Sequence, residues 1–171
     1  KLFSYTQLQD TVGVIMLALV NGIPKVLTLK EMLEQYIDFQ VDVITRRTKF
    51  DLNKAKEREH ILKGLVIALD NIDEVIEIMK TSKNIPEAKQ RLNQRFGLTD
   101  IQADHIANMT LGRLTGMERQ KIIDELAEIE VKIADLEDIL ANHQRILDII
   151  IEEVEAIQDK FGDERRTQIE N

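Results

Sequence analysis

The 171-residue sequence contains no cysteine, no tryptophan and only two prolines. Without cysteine the chain has no disulfide, no thiol nucleophile and no cysteine-based zinc site, which fits a reducing compartment. Aromatic residues make up 4% of the chain although apolar residues make up 43%. This balance suits long helices better than a thick globular core.

Long hydrophobic runs are also missing from the sequence. No apolar stretch reaches 18 residues, and the chain begins with Lys1 rather than with a charged segment followed by an apolar one. Neither a membrane span nor a targeting signal is therefore predicted. We expect a cytoplasmic chain that has no membrane partner and is a piece of a larger protein.

Residues with catalytic potential are few and scattered. The seven glycines form no phosphate-binding loop, and there is no Gly-x-Ser-x-Gly or HExxH motif. Glu57 and His60 form one ExxH pair, whereas a di-iron bundle needs two such pairs and further glutamates. We therefore predict no catalytic, cofactor-binding or metal-binding residues in this chain, and we interpret His60 as a surface histidine.

A long helical repeat dominates the second half of the sequence. Apolar residues recur every three or four positions from Ile122 to Phe161, and this spacing is typical of a coiled-coil seam. A helix of that length would extend for about 60 Å. His143 is the one polar member, and we expect it in the seam as a partly solvated irregularity. The members of the repeat are Ile122, Leu126, Ile129, Ile133, Leu136, Leu140, His143, Leu147, Ile150, Val154, Ile157 and Phe161.

The net charge of −8 arises in the same segment. Residues 118–160 hold thirteen acidic and five basic residues, and the remaining 18 acidic and 18 basic residues cancel. An acidic helix repels duplex phosphates, so non-specific nucleic-acid binding is not expected there, although a solvated helix face explains the same acids. Basic residues gather in residues 46–58, interleaved with acids, which favours a mixed solvated face over a phosphate contact.

Turn and capping signals divide the remainder of the chain. Asn21-Gly22 between two apolar runs predicts a β-hairpin, and a short helix is expected over residues 4–9. A capping pattern at Thr28 and Glu31 opens an outgoing helix expected over residues 29–79. The middle of that helix, residues 45–59, has few apolar groups and should be exposed over much of its circumference.

Two further capping patterns predict short helices after the outgoing one. Asn84 with Glu87 begins a helix expected over residues 86–95 that Gly97 ends, and Thr99 with Gln102 begins another that runs to about Met109. The return helix follows.

The predicted fold class is therefore mainly α. A long antiparallel coiled-coil helical hairpin has a small globular helical tip, and a short β-hairpin precedes it. The expected segments are 1–28 with the β-hairpin, 29–79 as the outgoing helix, 80–116 as the tip, 117–161 as the return helix and 162–171 as the tail.

Several strings resemble the A subunit of bacterial DNA gyrase, with the A subunit of the paralogous topoisomerase IV as the alternative. The resemblance covers nearly the whole chain. Its strings are YTQLQ (residues 5–9), NGIPKVLTLKEMLEQYIDF (21–39), TRRTKFDLNKAKEREHILKGLVIALDNIDEVI (45–76), QADHI (102–106), RLTGMER (113–119) and FGDERRT (161–167).

This resemblance implies that residues 1–28 end a tower domain and that the arms and tip form the exit gate of a type IIA topoisomerase. The gate would release the transported duplex during ATP-dependent supercoiling. Implied partners are a second copy through the tip, the B (ATPase) subunit and duplex DNA. The catalytic tyrosine of that family lies before Lys1, so this chain alone is not expected to cleave DNA. No cofactor is expected here, because Mg²⁺ and ATP would act on other domains or subunits.

The tip departs from the family pattern, because QADHIANMTLGRLTGME (residues 102–118) stands where the family usually reads QAQAILDMRLQRLTGLE. If the tip self-associates, its exposed apolar groups and their polar rim should form a two-fold contact. Alternatively, some of these residues attach the tip to the arms, or the chain is an autonomous coiled-coil adaptor for partner helices. The predicted dimer interface consists of Ile101, Gln102, His105, Ile106, Met109, Thr110, Leu111, Arg113 and Leu114.

Overall fold

The computed structural model describes residues 1–109 and 116–169, and the chain divides into two compact units, Lys1–Ile44 and Thr45–Asn171. The first unit contains helix α1, strands β1 and β2 and the start of helix α2, which continues into the second unit. The elements are α1 (Leu2–Tyr5), β1 (Leu17–Val20), β2 (Ile23–Val26), α2 (Leu29–Asp70), α3 (Ile72–Thr81), α4 (Ile85–Phe96), α5 (Asp100–Ala107), α6 (Gly116–Ala141) and α7 (His143–Phe161). The mainly α fold class with a short N-terminal hairpin is confirmed.

The hairpin of the first unit follows from its turn residues. Strands β1 and β2 pair antiparallel, and Val20 lies opposite Ile23. Between them Asn21 and Gly22 have φ angles of 52° and 79°, which are the positive values that a type I′ turn requires. The helix expected over residues 4–9 is wrong in position, because α1 ends at Tyr5 and Thr6 has extended backbone.

The start of α2 is the predicted capping box. The Thr28 N–H donates to Glu31 Oε2 at 2.7 Å, and the Glu31 N–H donates to Thr28 Oγ1 at 3.3 Å. The hydrogen bond from the Thr28 backbone is the main reason that the pKa of Glu31 lies below its ordinary value.

Both long helices are interrupted where the sequence predicted continuous ones. The outgoing helix breaks at Asn71 (φ −121°, ψ 36°), and the return helix breaks at Asn142 (φ −119°, ψ 104°). Neither position has a glycine or proline. Asparagine side chains bond neighbouring backbone groups and so compete with the helix: Asn71 Nδ2 donates to the Ile67 carbonyl, and Asn142 Oδ1 accepts from the Gln144 N–H. The helices expected over residues 29–79 and 117–161 are therefore corrected to α2 with α3 and to α6 with α7.

Within the second unit, α2 runs antiparallel to α6 and α7. Ion pairs between them show the direction, because partner numbers rise along α6 and α7 as they fall along α2. These pairs are Asp70–Arg119 (2.5 Å), Lys63–Glu130 (3.5 Å), Lys56–Glu137 (2.6 Å) and Arg47–Glu153 (2.7 Å). The antiparallel pairing of outgoing and return helices is thus observed within this unit.

The apolar repeat of the return helix is buried unevenly. Ile122, Ile133 and Ile150 are buried, whereas Val154 and Ile157 are 45% and 56% exposed. His143 is also exposed, so its predicted position in the seam is wrong. The buried side chains nearest to the break are instead Ile139 and Ile146.

The exposed middle of α2 is confirmed. Over residues 45–59 the buried side chains are Thr48 and Ala55, which are both small and lie seven residues apart on one helix face. The main core lies further along the chain, where α2 meets α3–α6. Its members are Leu62, Leu65, Ala68, Leu69, Val75, Ile78, Leu92, Leu98, Ala103, Ile106 and Ile122.

Helix α5 approaches α2 closely at Gly64. A Cβ atom added there would lie 2.7 Å from Cγ and 2.8 Å from Cβ of Gln102. The Gln102 side chain is 7% exposed, and its Nε2 donates to the His60 carbonyl at 2.7 Å. Because Gly64 has no side chain, there is space for Gln102, which joins α5 to α2.

We expect Gly64→Ala to destabilise the chain even though alanine favours a helix over glycine by about 1 kcal/mol. The added methyl must displace Gln102, and overpacking of this kind costs about 1–3 kcal/mol. Thermal unfolding followed by circular dichroism should show a melting temperature lower by a few °C.

Gly13→Ala is the matched control, because nothing lies within 4 Å of an added Cβ there. Its melting temperature should stay level or rise slightly. A Gly64→Ala variant that is as stable as the Gly13→Ala control would contradict the close approach.

Candidate interaction surface of the tip

The tip consists of α3, α4 and α5, and the sequence specifies where the last two begin and end. Asn84 Oδ1 accepts from the Glu87 N–H at 2.9 Å, and α4 ends at Gly97 in the left-handed conformation (φ 65°). Thr99 and Gln102 form both bonds of a capping box at the start of α5. The two predicted short helices are confirmed.

Charged side chains tie the three tip helices together. Lys89 of α4 binds Asp104 of α5, and Arg95 of α4 binds Glu74 of α3. The hydrogen bond from Lys89 lowers the pKa of Asp104, and the hydrogen bond to Glu74 raises the pKa of Arg95. Both pairs lie at the surface, so they orient the helices more than they stabilise them.

An apolar pocket of about 280 Å³ opens between α3 and α5. Ile106, which is 3% exposed, and the half-buried Met109 both contribute to its lining. Lys80 is the one charged side chain in the lining. The lining consists of Ile72, Val75, Ile76, Met79, Lys80, Ile106 and Met109.

The predicted interface residues do not form one continuous patch among the described residues. Ile101 is 59% exposed and lines a second pocket, against α2, whereas Ile106 and Met109 line the pocket against α3. Gln102 is buried by its contact with α2, and His105 is exposed. Thr110, Leu111, Arg113 and Leu114 lie outside the described residues.

Sequence reasoning missed the contribution of α3 to this surface. The spacing of Ile72, Ile76 and Met79 continues the apolar repeat of the outgoing helix, so the sequence predicts them as part of it. The break at Asn71 separates them from α2 and places them in the tip. Asn71, as a residue that caps helices, was the available signal.

His60 contacts the tip rather than a metal-binding group. Its Nε2 lies 2.7 Å from Oγ1 of Thr99, the residue that caps α5. Across residues 1–109 and 116–169, no three or more His, Asp or Glu side chains come together in a way that could hold a metal ion.

Basic side chains of α2 are held by carboxylates of the return helices. Arg58 donates to both carboxylate oxygens of Glu125, with Nε–Oε1 at 2.7 Å and Nη2–Oε2 at 2.8 Å. This hydrogen bonding lowers the pKa of Glu125 and raises the pKa of Arg58. Arg47 and Lys56 make corresponding pairs with Glu153 and Glu137. Three basic residues of positions 46–58, Arg47, Lys56 and Arg58, thus supply partners for the acidic helices.

The chain belongs to the family of DNA gyrase and topoisomerase IV A subunits, whose model matches residues 1–155. The particular proteins it resembles are DNA gyrase A subunits, which confirms the family resemblance seen in the sequence. Identity is 54% to that of Clostridium acetobutylicum, 50% to that of Fibrobacter succinogenes and 49% to that of Mycolicibacterium smegmatis.

Each of these matches covers 99% of the chain but only 19–20% of the relative. The chain therefore spans about one fifth of the length of the curated relatives. In the part of the chain that the structure describes, no helix has the length and apolar character needed to span a membrane.

We expect the Arg58–Glu125 contact to make stability depend on acidic pH. The pKa of Glu125 is lower in the folded chain than its ordinary value of about 4.3. The contribution of the Glu125 carboxylate to stability is therefore fully present above this ordinary pKa, and it is lost as the pH falls through the lowered pKa of the folded chain. Glu125→Gln should lower the free energy of unfolding by at most about 1 kcal/mol at pH 7, because the side chains of Arg58 and Glu125 are both more than a third exposed.

Thermal melts of the wild type and Glu125→Gln from pH 7 to pH 3 should converge toward the acid end. Glu128→Gln, which changes an exposed acid of the same helix, is the matched control and should follow the wild type throughout. A constant difference between the wild type and Glu125→Gln at all pH values would contradict the role of the carboxylate.

Proposed function

We propose that this chain is the exit-gate dimerisation module of a type IIA DNA topoisomerase, within the A subunit of DNA gyrase. In this proposal two tips meet, close the gate and part to release the transported duplex during ATP-dependent supercoiling. The observation that carries the proposal is the open apolar pocket on the tip of an antiparallel helix pair. Family membership supports it.

The lining of the pocket is suited to a reversible contact between two tips. Its lining from α3 and α5 is apolar except for Lys80, and Ile72, Ile76 and Met79 are only half-buried. A second tip packed against it would remove that surface from water, at about 25 cal/mol per Å² of apolar area. Closed symmetric dimers use one self-complementary patch on each copy, and in this proposal the apolar lining of the pocket is that patch.

The charge of the helix pair suits a passage that must not retain DNA. Residues 118–160 carry thirteen acids and five bases, while Arg47, Lys56 and Arg58 of α2 already hold carboxylates. A duplex leaving between two such modules would meet few uncompensated cations.

In this proposal the chemistry of the complete enzyme takes place outside this chain. The catalytic tyrosine lies elsewhere in the same polypeptide, and Mg²⁺ and ATP bind to other domains or to the B (ATPase) subunit. The complete enzyme works in the cytoplasm. The chain itself contributes levers and a contact surface.

We expect the chain to form a dimer that Met109→Asp dissociates, because a carboxylate in the pocket lining must be desolvated in the contact. Sedimentation equilibrium should give a dimer for the wild type and a monomer for the variant. Val131→Asp is the matched control, since Val131 is 72% exposed on α6, and it should remain a dimer.

Circular dichroism of Met109→Asp should show unchanged helicity, so that dissociation is separated from unfolding. A single introduced cysteine gives a second measurement, because the chain has none of its own. Ile76→Cys should form a disulfide between two copies, whereas Val131→Cys should not. A wild type that stays monomeric at hundreds of micromolar and does not crosslink through Ile76→Cys would favour the adaptor function instead.

We also expect the chain to bind duplex DNA weakly, and binding to rise when the paired acids are neutralised. Glu125→Gln, Glu137→Gln and Glu153→Gln together release three basic side chains of α2. Asp124→Asn, Glu128→Gln and Glu152→Gln together change the net charge equally without removing those pairs, and they form the control.

Gel-shift titrations at increasing salt should show about tenfold tighter, salt-sensitive binding for the first triple variant only. Tight, salt-sensitive binding by the wild type would contradict an exit that does not retain DNA.

A further inference from the structure

Helices α6 and α7 meet at a joint whose two ends are both satisfied by hydrogen bonds. The Asn142 N–H donates to the Asp138 carbonyl at 3.0 Å, as the last bond of α6. Asn142 Oδ1 then accepts from the Gln144 N–H at 3.0 Å and caps α7. The backbone between these bonds is extended (ψ 104°). The interruption is thus stabilised locally by one side chain.

The joint also keeps a polar ring out of the apolar seam. In a regular helix residue 143 lies four positions after residue 139 and three before residue 146, so all three share one face. In the structure Ile139 and Ile146 are 7% and 5% exposed, whereas His143 is exposed. A continuous helix would place the imidazole between two buried isoleucines, at the desolvation cost of a polar group.

Arg145 spans the joint from α7 to α6. Its Nη1 lies 2.6 Å from Asp138 Oδ2, and its Nη2 lies 2.9 Å from Asp135 Oδ1. In a straight helix residues 135 and 145 would be about 15 Å apart along the axis and on different faces, beyond the combined reach of these side chains. The pair with Asp135 therefore forms only when the joint is bent.

Near the joint, the opposing part of α2 buries only small side chains. Lys56–Glu137 and Arg47–Glu153 join α2 to the return helices on either side of it. Between these pairs the buried side chains of α2 are Thr48 and Ala55. Segments with few buried apolar contacts are those that move at low free-energy cost.

We propose that the joint at Asn142 is a hinge of the return helix, and that Arg145 acts as its latch by binding Asp135 and Asp138 in the bent state. Release of Arg145 lets α7 swing relative to α6. This inference stands independently of the proposed exit-gate function, since every group that it uses lies in α2, α6 and α7.

The test measures the distance between spin labels on two cysteines, Val131→Cys in α6 and Ile151→Cys in α7. Both positions are exposed and the chain has no other cysteine. Pulsed electron paramagnetic resonance should give one narrow distance, shorter than the 30 Å or so of a straight helix over the same residues. Adding Arg145→Gln should broaden the distribution toward longer distances, by at least twofold in width.

Asp135→Asn with Asp138→Asn should broaden it to the same extent, and combining these changes with Arg145→Gln should add nothing further. Lys121→Gln is the control, because the Lys121–Glu118 pair lies within α6, and it should leave the narrow distance unchanged. Asn142→Ala with His143→Leu should give a single distance near that of the straight helix. An unchanged narrow distribution in Arg145→Gln, with unchanged helicity, would overturn the latch.

Discussion

The contact between α2 and the antiparallel return helices is the constraint on which the second unit depends. Its main apolar cluster lies near the tip, around Leu62, Leu65 and Ile122. Further along, where the buried side chains of α2 are small, ion pairs such as Arg47–Glu153 continue the contact. Each surface pair is worth little alone, but pairs at several points along two helices set their register. The position of the tip follows from that register.

The tip is tied to the same contact through α2. Gly64 leaves the space that Gln102 fills, and the Gln102 side chain both caps α5 and binds the His60 carbonyl. Since α5 supplies one wall of the apolar pocket and α3 the other, the pocket exists because α5 is docked on α2. A glycine inside a long helix thus affects the pocket between α3 and α5.

Several features could be predicted from the sequence because they depend on neighbouring residues. The hairpin turn at Asn21-Gly22 and the caps at Thr28, Asn84 and Thr99 involve partners within a few positions, and all were confirmed. Of the interface residues, Gln102 and Ile106 could not be separated from surface groups, because their burial depends on where α5 docks. The helix breaks at Asn71 and Asn142 were missed because the apolar repeat passes through both.

The sequence by itself determined the family, the mainly α class, the helix caps and the acidic return segment, since these rest on local chemistry and on the spacing of apolar residues. Only the tertiary structure decided that Ile72, Ile76 and Met79 belong to the tip pocket, that His143 lies outside the seam, and that Arg145 bridges two helices. The physical reason is shared by all three. A change of backbone direction at one asparagine changes the face on which all following side chains lie. The spacing of apolar residues in the sequence does not reveal such a change.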